Sequence, residues 1–159
     1  MLTPAWRETL PTSFPIPPTT SLSLTTRQAG RQPRLALADT SVFIALEQDR
    51  PIAGPPPEEV AVSVITVGEL RLGVLAAADG PIRARRLETL SRAEALEPLP
   101  IDRAVAHAWA ALRLALRDEG RRMPLNDSWI AATAIANHIP VVSQDDDYDV
   151  VPGLEVIRI

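Results

Sequence analysis

The stretch LALADTSVFIAL, residues 35–46, joins a short apolar run to an apolar helical pattern through one carboxylate, Asp39. The run 35–38 reads as a short buried strand, and Thr40 or Ser41 is placed to cap a helix over about 41–48. An ionisable group at that seam is costly, because charge beside an apolar core loses hydration. A strand, an acid and then a helix suggest an α/β unit, in which ligands gather at the carboxyl ends of the strands.

The same alternation continues toward the carboxyl end. Pro51 and GPPP (54–57) mark a loop, and VAVSV (60–64) is the next strand. Thr66 with Glu69 fits a capping box that opens a helix to about 78. Gly80-Pro81 restarts a helix with proline at its first position. LEPLP (96–100) reads as a weak edge strand, because proline cannot donate to a ladder. Asp102 caps a helix that Gly120 ends, with Val105, Trp109, Leu112 and Leu116 as its apolar stripe. Asn126 begins another helix, stopped before Pro140. PVVS (140–143) and LEVIRI (154–159) are the last strands. The expected architecture is three-layered, a central parallel sheet with helices on both sides, and no internal repeat is present.

Residues 1–34 differ from this pattern. They hold Pro4, Pro11, Pro15, Pro17, Pro18 and Pro33 among many Ser and Thr, with no helical or strand period. Such a segment cannot bury enough apolar surface to offset its ordering entropy, so a disordered leader is expected. Arg7, Arg27, Arg31 and Arg34 against Glu8 give it +3. The whole chain carries −4, which leaves −7 for residues 35–159. That balance disfavours strong non-specific nucleic-acid binding but not a specific RNA held at a few points.

Composition removes several classes of function. A chain of 159 residues without cysteine has no disulfides, zinc–thiolate sites or cysteine nucleophiles. All 16 basic residues are arginine. The absent lysine argues against P-loop NTPases, Schiff-base chemistry and receiver domains. No apolar run approaches the roughly 20 residues of a membrane span. The start lacks a basic-then-apolar signal pattern, so a cytoplasmic location is expected.

The acids carry the functional argument. Asp39 follows the first strand, and Asp145 follows PVVS in IPVVSQDDDYD. Glu69 and Asp127 each fall in the first turn of an expected helix, where the helix dipole favours an anion. Four carboxylates gathered at one end of a sheet would repel one another, and a divalent cation is the usual compensation. Hard oxygen ligands favour Mg²⁺ or Mn²⁺, which can polarise a phosphodiester and lower the pKa of a bound water. Taken singly, each acid has a plainer reading. Asp39 and Asp127 could be helix caps, Glu69 a capping-box partner, and Asp145, Asp146, Asp147 and Asp149 a solvated turn. His107 and His138 have no partner motif and read as structural or surface. Trp109 and Trp129 read as core or groove residues.

Together the motifs resemble those of the PIN-domain family, and within it the VapC-type toxins of toxin–antitoxin pairs. The first family motif appears as ADTSVFIAL and the second as SVITVGELRLGV. The third, DSWIAATA, is the most specific, and the fourth appears as VSQDDDY. In the fourth, Ser143 stands for the family's Thr and Tyr148 for its Phe. The resemblance covers roughly 35–159 and leaves the leader unexplained.

It implies a metal-dependent ribonuclease of PIN fold. Asp39, Glu69, Asp127 and Asp145 match the acidic positions, both catalytic and metal-holding. Thr40 or Ser41 matches the small hydroxyl beside the first acid. Ser143 and Asp147 match supporting positions, and Asp147 could serve a second metal or a structural hydrogen bond. Apart from the resemblance, Arg71, Arg121 and Arg122 could meet phosphates, although arginine on a solvated helix face is the commoner reading. The resemblance further implies a cognate antitoxin that blocks the acidic pocket, and a homodimer. Two alternatives stand beside it. One is a PIN-type nuclease acting on DNA or in RNA maturation, without a toxin role. The other is a non-enzymatic module whose acidic pocket binds a peptide. A phosphatase of the haloacid dehalogenase type needs a second Asp where Ser41 stands, and a lysine.

Overall fold

The computed structural model describes residues 34–55 and 57–159. The expected leader lies outside the described residues except for Arg34 at its end. The elements follow in the order β1 (Leu35–Ala38), α1 (Thr40–Glu47), β2 (Glu59–Val62), α2 (Val64–Leu75), α3 (Gly80–Glu94), α4 (Arg103–Asp118), α5 (Leu125–Asn137), β3 (Val141–Ser143), a 3-10 turn (Asp146–Val150) and β4 (Val156–Arg158).

The four strands form one sheet in the order β2-β1-β3-β4, and every pairing is parallel. Ala38 pairs with Val62 on one side and Val142 on the other, so β1 is central. The chain leaves β1 toward one edge to make β2 and later makes β3 on the opposite side. A crevice therefore opens past the carboxyl ends of β1 and β3, the switch point where α/β sheets bind ligands.

Strand alternation builds the layers. Ala36, Ala38, Val62, Val142 and Ile157 pack with Val42 and Phe43 of α1, Leu70 of α2 and Leu90 of α3. Leu37 and Val141 face the other way, onto Leu112 and Leu116 of α4 and Ile130 and Ala131 of α5. Fully burying a Val, Leu or Ile side chain contributes about 1.5–3 kcal/mol, which drives both helical layers onto the sheet. The expected three-layer arrangement is the one found.

Local details depart from the sequence expectation in instructive ways. The cap of α1 is Asp39, not Thr40 or Ser41, and its carboxylate accepts from the Ser41 N–H. Ser63 caps α2 by accepting from the Thr66 N–H, which puts Thr66 inside the helix and frees Glu69 from the expected capping box. Helix α2 ends at Leu75 rather than near 78. Helix α5 starts after Pro124, with no side-chain cap. The segment 96–100 makes only one parallel bridge, Ser63 to Leu99, because Pro98 and Pro100 have no N–H to extend a ladder. The last strand is limited to 156–158.

Candidate active site

Asp39 leaves β1 at the switch point and is 2% exposed. Its N–H still reaches the Val142 carbonyl at 3.0 Å, so the β1–β3 ladder itself sets the acid beside Ser143. Its Oδ2 accepts from Ser41 Oγ at 2.7 Å and Ser143 Oγ at 3.0 Å. Both hydroxyls also accept backbone protons, Ser41 from the Gln144 N–H at 3.1 Å and Ser143 from the Asp145 N–H at 2.9 Å. The two hydroxyls also lie 3.2 Å from each other, so Asp39 Oδ2, Ser41 and Ser143 form one buried hydrogen-bonded group. On the other oxygen, the Tyr148 hydroxyl donates to Oδ1 at 2.9 Å. Burial first, and then the Asp39 and Asp127 charges, push the Tyr148 ionisation far above that of an ordinary phenol. Tyr148 therefore stays a proton donor.

Glu69 reaches the same end of the sheet from α2. Thr40 Oγ1 of α1 donates to its Oε2, and Asn126 Nδ2 of α5 donates to its Oε1 at 2.8 Å. One carboxylate thereby ties three helices at the crevice. Asp127 follows in the first turn of α5 and is half-buried. Its carboxyl is pushed up to about 7, by burial first and then by Asp39, Glu69, Asp147 and Asp145. Four like charges acting on one group mark the cluster as a single electrostatic unit. Asp145, at the exposed rim, is also held above the usual carboxylate range. Partial loss of water comes first, then Asp39 and Asp147, with the Ser41 hydroxyl and Arg50 opposing.

The acidic run 145–149 divides into two sets. Arg158 donates to the Asp145 carbonyl and to Asp149 Oδ1, the latter at 2.6 Å, and lies 3.6 Å from Asp146. Asp146 and Asp149 thus carry Arg158 outside the cluster, while the Asp145 and Asp147 charges act on Asp127 within it. Arg121 bonds the Val150 carbonyl at 3.1 Å and pairs with Glu119, so its guanidinium is committed within the chain. Arg71 and Arg122 are exposed. A cavity of about 190 Å³ opens beside Thr40 and Glu69 and is walled on its far side by Arg86 of α3. Trp109 of α4 and Trp129 of α5, both half-buried and outside the two core layers, stack on each other with ring centroids 4.4 Å apart.

The donor chemistry of the cluster fits a hard divalent cation, since every candidate ligand atom is a carboxylate oxygen. Among the described residues, no three acidic or imidazole side chains already form a group that could hold a metal ion. Sequence reasoning missed Asn126 and the Tyr148 hydroxyl. Each acts on an acid 57 or 109 residues away, and no local pattern announces a partner at that distance.

Comparison with known proteins adds the family. The model of the PIN domain matches residues 36–154. Ribonuclease VapC4 of Mycobacterium tuberculosis is 53% identical over 130 residues, 79% of this chain and 98% of that protein. Ribonuclease VapC5 of the same organism is 47% identical over 131 residues, 80% of this chain and 97% of that protein. Among solved structures, VapBC-5 from M. tuberculosis, a member of the VapBC family of toxin-antitoxin systems, superposes with a TM-score of 0.72 at 46% identity. The match covers 80% of this chain and 100% of that one.

Proposed function

The chain belongs to the PIN-domain family, and from that premise we propose that it is a divalent-metal-assisted endoribonuclease, the toxin of a toxin–antitoxin pair. The observation that carries the reading is 53% identity across 98% of a protein named as a ribonuclease. The acids at the β1–β3 switch point give it a chemical basis. Asp39, Glu69, Asp127 and Asp145 would hold Mg²⁺ or Mn²⁺. When bound, such an ion polarises a phosphodiester and lowers the pKa of water.

The remaining work falls to the chain's own groups. Asp39 is fixed by Ser41, Ser143 and Tyr148 and serves as the rigid member of the set. Thr40 and Asn126 orient Glu69 from opposite sides. Asp127 holds a proton up to about pH 7 and would have to lose it to bind a cation. Asp147 adds negative charge behind Asp127 and supports the same exchange. Glu69, Asp127 and Asp145, less buried than Asp39, would complete the ligand set. Arg71 and Arg122 are exposed and remain the candidates for phosphate contact.

A cognate antitoxin is part of the same reading, supported by the VapBC toxin-antitoxin neighbour. It would enter the crevice and cover the acids, and a homodimer is proposed on the same family ground. Among the described residues, no helix is long and apolar enough to cross a membrane. The test is sequencing of RNA ends after induced expression. Wild type should create discrete new ends that Asp39→Asn does not. The same ends in both would refute the reading.

A further inference from the structure

We propose that the Tyr148 hydroxyl is a positioning group which, with Ser41 and Ser143, leaves Asp39 one open lone pair on Oδ1 and so makes it a one-oxygen metal ligand. The inference rests on the metal-assisted reading above and deepens it. An ionised carboxylate offers about four lone-pair directions, two on each oxygen. On Oδ2, the Ser41 and Ser143 hydroxyls at 2.7 and 3.0 Å take both, with the Ser41 N–H at 3.3 Å beside them. On Oδ1, the Tyr148 hydroxyl at 2.9 Å takes one and leaves one.

The hydroxyl is hydrogen-bonded to Asp39, although the Asp127 and Glu69 charges also act on it. Tyr148 is 1% exposed and Asp39 2%, so neither group has solvent to turn to. The ring is held in the layer formed with Leu112, Leu116 and Ile130, which fixes where the hydroxyl points. A carboxylate gripped on both oxygens cannot rotate to offer two oxygens to one ion. It presents its remaining lone pair without further ordering when the ion arrives, as outer hydrogen bonds do in metal sites generally.

Tyr148→Phe removes the hydroxyl and keeps the ring. Mn²⁺ should be titrated by calorimetry into wild type and variant, beside RNA cleavage kinetics at saturating Mn²⁺ and a thermal midpoint. The variant should bind Mn²⁺ about tenfold or more weakly. Its kcat should fall while KM for RNA stays unchanged. Ser143→Ala, which frees a lone pair on Oδ2 instead, should also weaken Mn²⁺ binding and gives a second reading if the Phe variant folds poorly. A lowered thermal midpoint with unchanged Mn²⁺ affinity and kcat in both variants would mean a merely structural hydroxyl and overturn the inference. Wild type that takes up no Mn²⁺ would be a different result, overturning the metal reading and the inference with it.

Discussion

At the scale of the residue, Asp127 gives the sharpest expectation. Its carboxyl titrates near 7 in the folded metal-free protein, against 3.8 for the ordinary side chain. Between those values the folded state binds the extra proton, so stability falls as pH rises from about 4 through 7. Asp127→Asn removes that slope. In EDTA the variant should gain on wild type by about 2 kcal/mol between pH 4 and 8, roughly half the full value of such a shift because the site is partly open to water. Urea unfolding at the two pH values checks this, and parallel pH profiles would contradict it. By the same linkage, Mn²⁺ uptake below pH 7 should release a proton. The acidic run supplies a second expectation. Asp145→Asn should lower cleavage by at least about 100-fold, since loss of a mere outer partner of a metal ligand already costs about 10–100-fold. Asp146→Asn should change it least, because Asp146 is 95% exposed and serves Arg158. Asp147→Asn should fall between. If Asp146→Asn abolishes cleavage and Asp145→Asn does not, the fourth motif is misaligned by one residue. Asp39 and Asp145 were legible because each follows an apolar strand, where a charge needs a reason, and Glu69 and Asp127 because each lies within a helical pattern beside apolar residues. Their hydrogen-bond partners were not, because Tyr148 and Asn126 meet them only through the fold.

At the scale of the element, caps decide how the acids are presented. Helix α2 carries Glu69 and is started by Ser63, which is fully buried and accepts from the Thr66 N–H at 3.1 Å. Ser63→Ala should cost about 1 kcal/mol, as cap removals do. Cleavage below the melting range should stay within a few-fold of wild type, since Glu69 keeps its Thr40 and Asn126 partners. Glu69→Gln should do the reverse, sparing stability and losing activity by orders of magnitude. Urea midpoints and initial rates for the two variants separate these effects. Equal activity losses would mean that Ser63 itself serves the site. Element types were legible from apolar runs and helical spacing, and Asp102 caps α4 as its position suggested. Starts were misplaced by one to three residues where several hydroxyls or acids compete to cap. Asp39 won over Thr40 and Ser41, and Ser63 over Thr66, because the strand before each helix fixes which side chain faces the first free N–H groups. The edge strand at 96–100 failed because a proline-containing run can hold a bridge but not a ladder.

At the scale of the whole molecule, the order β2-β1-β3-β4 brings together acids that are up to 106 positions apart in the chain, Asp39 and Asp145. Alternating strand and helix patterns made the parallel sheet legible. Strand order was not, because short apolar strands such as LALA and VVS carry no mark of their neighbours. Among the described residues, the two core layers and all four acids are built from 35–159. A chain limited to those residues should match the full chain in thermal midpoint and in RNA cleavage, and a drop of more than a few degrees would show that residues 1–34 contribute to the fold. On the proposed function, these carboxylates act on RNA by holding a divalent cation. The most direct test is the rate at which purified protein cleaves RNA as Mn²⁺ is returned after chelation, wild type beside Asp39→Asn. Wild type should be silent in chelator and recover saturably with Mn²⁺. Asp39→Asn should remain at least about 100-fold slower with its circular dichroism unchanged. Full cleavage by chelated wild type, or equal rates in the two proteins, would contradict the account.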